Sequence, residues 1–256
     1  MALACQQAHG ENRAMHTFLA LLAFAGVAAC SQPSVGQGVA QPARRDPMAF
    51  PAPHRPVADI VADRWSSGPD RDAADESGQL IRGLGITTGM AVADIGAGSG
   101  YHTLRLSPAV GPTGKVYAQD INESYLSGLR REAARRKLAN VEIVVGTATD
   151  PKLPAGAVDR AVLVHMYHEI ENPYALLWNL AASLKPGARV GVIDLDRETQ
   201  NHGTPPALLA CEFEAVGYRQ VESIPMKGGG GYLAVFEPPT LAARPRPDAI
   251  EGCRAP

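Results

Sequence analysis

The chain of 256 residues carries a formal net charge of −2, and 45% of its residues are hydrophobic. This length allows one well-buried domain with extensions but not two large domains. The small net charge provides no basic field of the kind that attracts nucleic acid. The four cysteines show no CxxC pair and no metal-ligand spacing, which argues against a zinc site or a disulfide framework.

The first part of the chain is typical of an export signal followed by a linker. Residues 18–29, "FLALLAFAGVAA", form an apolar stretch that is too short to span a membrane, and a tract rich in Ser, Gln, Pro and Gly follows it. "VAAC" resembles the lipobox of bacterial lipoproteins, in which Cys30 would carry the lipid, and Met15 is an alternative start. We expect a signal segment over 1–29, a disordered linker over 30–60, a folded domain over 61–238 and a flexible tail over 239–256.

After the linker, strand-like and helix-like segments alternate, as a parallel α/β sheet requires. The first five predicted strands are 90–95, 115–120, 141–146, 159–165 and 188–195. Asn122 is expected to cap a helix that runs to about Ala139, and Pro173 is expected to open another that Gly187 ends. A last helix leads to two strands joined by a glycine loop, which predicts a hairpin with an antiparallel final strand.

A glycine-rich turn, "VADIGAGSGYHT", follows the first predicted strand. Gly96, Gly98 and Gly100 permit positive φ and a close approach between the backbone and a ligand at a helix N-terminus. Their spacing is G-x-G-x-G, whereas the dinucleotide fingerprint has its third glycine where this chain has Tyr101. No Gly-Lys-Ser/Thr of a P-loop follows. The turn predicts a nucleotide-type ligand, with dinucleotide binding as the weaker alternative.

This turn and the acidic end of the second strand, "VYAQD", resemble motif I and the second-strand acidic residue of class I S-adenosylmethionine (SAM)-dependent methyltransferases. "PDRDAADES" and "DPKLPAGAVDRAVLVHMYHEIENP" also resemble a bacterial subgroup of these enzymes. The resemblance covers residues 64–238. It implies an α/β fold, a Rossmann-like seven-stranded, mostly parallel sheet with helices on both faces and a C-terminal antiparallel hairpin. It also implies SAM as the methyl donor, with the acceptor unidentified.

The resemblance also implies which residues bind the cofactor. They are Asp94, Gly96, Ala97, Gly98, Gly100, Asp120, Ile121, Asp150 and His165. Asp94 would orient the turn and reach the SAM amino group through water, and Asp120 would accept hydrogen bonds from the ribose hydroxyls or, alternatively, only cap its strand. Many relatives have an acidic residue after the third strand where this chain has Thr147. Asp150 would then take the adenine contact, or the contact is lost.

The acceptor site is expected at the carboxyl ends of the strands. Methyl transfer from a sulfonium is an in-line displacement, so catalysis requires positioning of the acceptor and removal of its proton. The segment 165–169, "HMYHE", follows the fourth strand, and His202 follows the fifth. The hairpin glycines 228–231 should reach the same edge.

His165, Tyr167 and His168 are the catalytic candidates, with Glu169 beside them. A histidine that titrates near neutral pH can take a proton from a hydroxyl, amine or thiol. The alternative is that Tyr167 and His168 only cap and fill the base of the following helix. His165, His168 and His202 lie on two separate loops, and histidines so arranged rarely specify a metal site, so no metal is expected. His102 either faces the ligand or simply starts a helix.

We expect a small-molecule or unknown acceptor as partner, no nucleic acid, and membrane contact only through a lipid anchor at Cys30. The basic segment 129–137 is interpreted as the solvent face of a helix, and Cys211 as a core residue. The lipobox predicts a cell-envelope location, which becomes cytoplasmic if the signal is not functional. An envelope-anchored binding or assembly protein that keeps the fold without turnover is the alternative function.

Overall fold

The computed structural model describes residues 50–60, 68–229 and 231–254. The predicted export signal and the predicted lipid anchor at Cys30 lie outside the described residues. Within the described ranges, no helix combines the length and apolarity that a membrane span requires.

Seven strands form one sheet. They are β1 (Ala91–Ile95), β2 (Lys115–Asp120), β3 (Val141–Val145), β4 (Val158–Val164), β5 (Leu184–Asp194), β6 (Arg219–Pro225) and β7 (Tyr232–Glu237). Their order is β3-β2-β1-β4-β5-β7-β6. The pairs among β1 to β5 are parallel, whereas β7 is antiparallel to both β5 and β6. The predicted fold class, including the terminal hairpin, is confirmed.

Helices cover both faces of this sheet. Those described are α1 (Gly68–Ala73), α2 (Glu76–Gly83), α3 (Thr103–Val110), α4 (Glu123–Arg135), α5 (Pro173–Leu180) and α6 (Pro206–Ala215). Val92 of β1 packs in one core with leucines of α2 and α3, whereas its neighbour Ala93 packs in the other core with apolar residues of α5 and α6. Successive residues of a strand point to opposite faces, so β1 is buried on both sides.

Two helix boundaries show where local signals hold and where they fail. Asn122 caps α4 as predicted, because its side chain accepts a hydrogen bond from the Ser124 backbone N–H at 3.0 Å. α5 begins at Pro173 as predicted, but it ends at Leu180, before Gly187. The cause is the sheet: Leu184 already pairs with Val158 as the first residue of β5.

The segment 50–60, expected to end a disordered linker, contacts the folded domain. Arg55 is buried, and its Nε donates to Glu212 Oε1 on α6 at 2.9 Å. Phe50 packs edge-on against Trp178 with 5.9 Å between ring centroids. An alternation of apolar residues does not predict such contacts, because each depends on a partner more than a hundred positions away.

The described part of the C-terminal segment is also packed, in contrast to the expected flexible tail. Cys253 forms a disulfide with Cys211 of α6, with 6.0 Å between the Cα atoms. The Cys253 backbone N–H donates to the Tyr174 hydroxyl at 2.7 Å. The expectation that the cysteines form no disulfide was wrong, because the spacing of 42 residues carries no recognisable motif.

Removal of this disulfide by a Cys253→Ser, Cys211→Ser double change is expected to lower the free energy of unfolding by about 2–4 kcal/mol. Cross-linking residues 42 apart restricts the unfolded chain, and a loop of that length contributes on this scale. Urea unfolding of the full chain measures the difference. Reductant should destabilise the wild type and leave the double variant unchanged; equal midpoints for the two proteins without reductant would contradict the prediction.

Candidate cofactor and acceptor site

A cavity of about 630 Å³ opens at the carboxyl ends of β1, β2 and β4. Its walls include the glycine turn after β1, the end of β2, and the segments that follow β3 and β4. Arg71 of α1 and residues 57–60 complete it. This edge is where ligands bind in open α/β sheets. The predicted site residues on its wall are Asp94, Gly96, Ala97, Gly98, Asp120, Ile121 and His165.

The glycines of the turn have different roles. Gly96 and Gly98 line the cavity with φ of +69° and +53°. A Cβ on Gly98 would meet no atom within 4 Å, so its backbone lies open to a ligand. Gly100 does not line the cavity, and a Cβ there would overlap Leu129 Cδ1. The absence of a side chain at Gly100 therefore allows α4 to pack on the turn. Gly100 was predicted to contact the cofactor, but in the structure it serves this packing instead.

Asp120 stands at the end of β2 and fixes the turn. Its Oδ2 accepts from the Gly98 N–H and its Oδ1 from the Asn122 N–H, both at 2.8 Å. Each carboxylate oxygen has a second lone pair, and the side chain is on the cavity wall. Asp120 can therefore hold the turn and accept hydrogen bonds from a ligand at the same time.

Asp94 lies deeper, at the end of β1. Its Oδ2 accepts a hydrogen bond from Thr103 Oγ1 at 2.6 Å, which ties β1 to the start of α3. Burial raises the pKa of Asp94 above its usual value, and the hydrogen bond from Thr103 offsets only part of that shift. The side chain thus connects the strand and the helix on either side of the glycine turn.

Asp150, predicted to contact the adenine, does not lie on the cavity wall. Thr147 and the adjacent Ala148 line the cavity, whereas Asp150 does not. Asp150 Oδ1 instead accepts from the Lys152 backbone N–H at 2.8 Å. A reciprocal backbone contact between Thr147 and Asp150 closes the turn, so Asp150 shapes the wall from behind it.

His165 is the histidine of the "HMYHE" segment that faces the cavity. Its φ of +51° lies in the left-handed region, which non-glycine residues adopt at a cost of about 1–3 kcal/mol and mostly where surroundings impose it. His165 Nε2 lies 3.1 Å from Glu76 Oε2 on α2. A carboxylate so placed fixes the orientation of the ring.

Glu76 was not predicted as a site residue, although it lies within the "PDRDAADES" stretch. Its Oε1 contacts His102 Nε2 at 3.1 Å and Arg71 Nη2 at 2.6 Å. Burial alone would raise the pKa of Glu76, but hydrogen bonds from His102 and His165 and the Arg71 charge hold it well below its usual range. Glu76 is therefore a buried anion shared by two histidines.

His102, left open between two roles, both starts α3 and faces the cavity. Its Nδ1 lies 3.0 Å from Ser77 Oγ, and Arg71 Nη2 lies 2.7 Å from its Nε2. Burial lowers the pKa of His102, although Glu76 and Asp94 oppose that shift. A neutral imidazole fits this position, because the guanidinium already supplies the positive charge.

The other two catalytic candidates turn away from the cavity. Tyr167 is fully buried and packs on Phe213 of α6, with ring centroids 5.5 Å apart. Burial and the nearby Glu212 raise the pKa of Tyr167 well above its usual value, so its hydroxyl stays protonated. His168 is also fully buried and contacts Asp194. Their placement matches the alternative interpretation, in which they fill the base of α5.

Comparisons with known proteins identify methyltransferases among those similar to this chain. A family model described as "Methyltransferase domain" matches residues 92–187. A demethylmenaquinone methyltransferase of Lactococcus lactis is 28% identical over 47% of this chain and 48% of its own. The ubiquinone/menaquinone biosynthesis C-methyltransferase UbiE of Pseudomonas putida is 30% identical over 45% of each chain. The chain thus spans about half the length of these curated relatives.

A solved structure gives the same result for the fold. The SAM-dependent methyltransferase from Aquifex aeolicus is 25% identical, with a TM-score of 0.61 over 66% of this chain and 92% of its own. Together these findings indicate a methyltransferase domain over residues 92–187 and a fold shared with a SAM-dependent methyltransferase. The glycine turn and Asp120, on which the resemblance was based, both lie within the matched residues.

Proposed function

We propose that the protein transfers the methyl group of SAM to a small acceptor bound in the same cavity. The proposal is supported by two structural features that lie next to each other at this cavity. The glycine turn with Asp120 provides the cofactor surface, and His165 with Glu76 provides a histidine–carboxylate pair. The first suits a nucleoside, and the second suits removal of a proton.

The reaction requires only two contributions from the side chains of the protein. SAM supplies an activated methyl group, so the protein needs to align the acceptor and to take its proton. His165 would accept that proton, and the Glu76 carboxylate would stabilise the imidazolium that forms. The sulfonium loses its positive charge as the methyl group leaves, and the proton returns to solvent through His165.

The names of the matched relatives point to a class of acceptor. The matched relatives are named for methylation in demethylmenaquinone and in ubiquinone or menaquinone biosynthesis. We therefore propose a reduced quinone-type or phenolic acceptor as the first class to test. Release of S-adenosylhomocysteine from SAM with hydroquinones, simple phenols, thiols and amines in parallel is the experiment. Turnover with one class and not the others would identify the acceptor, whereas SAM binding without turnover in any arm would favour a non-catalytic binding protein.

Replacement of Asp120 by alanine is expected to weaken SAM binding by about 1–3 kcal/mol, or about 5- to 150-fold. The change removes the ribose acceptor and releases the Gly98 N–H. Asp150→Ala is the matched control, since Asp150 carries the same charge but does not line the cavity. Calorimetric titration with SAM measures the dissociation constants of both variants. A larger loss in Asp150→Ala than in Asp120→Ala would contradict the assignment and return the adenine contact to Asp150.

We also propose that the protein is exported and anchored to the envelope by a lipid on Cys30. The support is the disulfide between Cys211 and Cys253, because disulfides persist in oxidising compartments and are rare in the cytosol. Since SAM is made in the cytoplasm, export would require a supply of SAM outside it. The location is therefore tested separately from the activity.

A fusion of residues 15–45 to a reporter that works only in the periplasm tests export. Metabolic labelling with a fatty acid tests the anchor, with Cys30→Ala expected to lose the label and Cys5→Ala to keep it. A silent reporter would return the protein to the cytoplasm. Export without labelling would support the export signal and contradict the lipid anchor at Cys30.

A further inference from the structure

Two turns beside the cavity bring together three side chains that can bind a metal. His168 and Glu169 belong to the 3-10 turn Tyr167–Glu169 after β4, and His202 follows the 3-10 turn Thr199–Asn201 after β5. One ligand atom from each residue lies within 4.8 Å of the other two. Two imidazole nitrogens and one carboxylate are a donor set that Zn²⁺ and other first-row divalent ions use in proteins.

The surroundings of His168 fit a metal ligand. Its Nδ1 lies 3.1 Å from both carboxylate oxygens of Asp194, which is fully buried at the end of β5. Asp194 also accepts hydrogen bonds from Thr204 Oγ1 at 2.7 Å and from the Leu195 N–H at 2.9 Å. A carboxylate that only accepts requires the hydrogen of His168 on Nδ1. The lone pair is then on Nε2, and histidines that bind metals commonly donate their other N–H to a carboxylate in this way.

His202 is held against His168. The two rings meet edge to face, with 5.4 Å between centroids. The His202 backbone has a φ of +57°, a conformation that a histidine adopts at a cost and that its neighbours must enforce. The chain therefore maintains this pair of imidazoles at a site that sequence spacing alone did not favour.

We propose that His168, Glu169 and His202 bind one divalent transition-metal ion, for which Zn²⁺ is the probe. This set differs from the three histidines considered in the sequence, because His165 pairs with Glu76 and Glu169 takes its place. Glu169 also lines the cavity. An ion held there would lie beside the acceptor, where a Lewis acid makes a hydroxyl or thiol easier to deprotonate. This role rests on the proposed function, whereas the binding site itself does not.

The test is calorimetric titration of Zn²⁺ into the untagged full chain after treatment with a chelator. Cys5→Ser and Cys30→Ser are included throughout, so that the two cysteines outside the disulfide do not bind the ion. Glu169→Gln and His202→Asn are the test variants; asparagine is chosen because it tolerates the left-handed backbone of position 202. His54→Ala removes an exposed histidine outside the cluster and is the matched control.

One Zn²⁺ per chain is expected in the parent and in His54→Ala, with affinity at least tenfold weaker in Glu169→Gln and His202→Asn. Co²⁺ in place of Zn²⁺ should give a visible absorption spectrum typical of a protein site, and both test variants should lose it. Absence of stoichiometric binding, or equal affinity in His202→Asn and His54→Ala, would overturn the proposal. SAM calorimetry on the same proteins separates this outcome from a failure of the proposed function, because SAM binding is expected in all of them.

Discussion

Replacement of His165 by asparagine is expected to lower kcat for methyl transfer by about 10²- to 10⁴-fold, the range that a positioned general base contributes. Asparagine is the informative choice, since His165 has a φ of +51° and asparagine adopts that conformation with little strain. The proton acceptor is lost while the turn after β4 is kept. The dissociation constant of SAM, measured by calorimetry, should change by less than about tenfold.

Glu76→Gln provides the accompanying test of positioning. Glutamine keeps the shape of the Glu76 side chain but removes the charge that would stabilise the imidazolium formed at His165 during the reaction. We therefore expect kcat to fall in Glu76→Gln, while the fold and the dissociation constant of SAM are retained. His54→Ala should leave both readouts unchanged. An undiminished kcat in His165→Asn would contradict the assignment of the proton acceptor and direct attention to His102.

Replacement of Arg55 by alanine is expected to lower the free energy of unfolding by about 3–5 kcal/mol, the scale for breaking a buried ion pair from one side. The Arg55 and Glu212 side chains are both fully buried. Arg55 also approaches the carbonyl oxygens of Tyr167 and Ile170 at 3.3 Å. Its removal leaves the Glu212 carboxyl group without its cation in the core and removes the Arg55 contacts to the turn after β4.

The matched control is Arg130→Ala. Arg130 pairs with Glu123 on the surface, with 52% and 60% of the two side chains exposed, and such pairs contribute at most about 1 kcal/mol. Urea unfolding of the three proteins measures the contrast. Equal midpoints for Arg55→Ala and Arg130→Ala would show that the segment 50–60 does not contribute to the stability of the domain.

The sheet and the cofactor edge were predictable because their signals are local. A strand that is buried on both faces is a continuous apolar run, and glycine at Gly96 and Gly98 marks positive φ wherever the chain needs it. These two signals placed β1 and the glycine turn correctly. The glycines between β6 and β7 also located the hairpin, because they separate two strand-like segments.

The acceptor side was less predictable, since it depends on how one short turn is oriented. "HMYHE" brings His165 to the cavity but directs Tyr167 and His168 into the protein, and neither alternation nor helical spacing applies within a 3-10 turn. Glu76 and Arg55 were missed for another reason. Glu76 reaches His165 across 89 positions, and Arg55 reaches Glu212 across 157 positions. No local sequence pattern predicts contacts over such separations.

The central claim is that the glycine turn binds SAM. Calorimetric titration of the wild-type full chain with SAM and with S-adenosylhomocysteine tests it most directly. We expect one site per chain for each ligand and competition between the two ligands. Absence of binding for either ligand at millimolar concentration would contradict the claim.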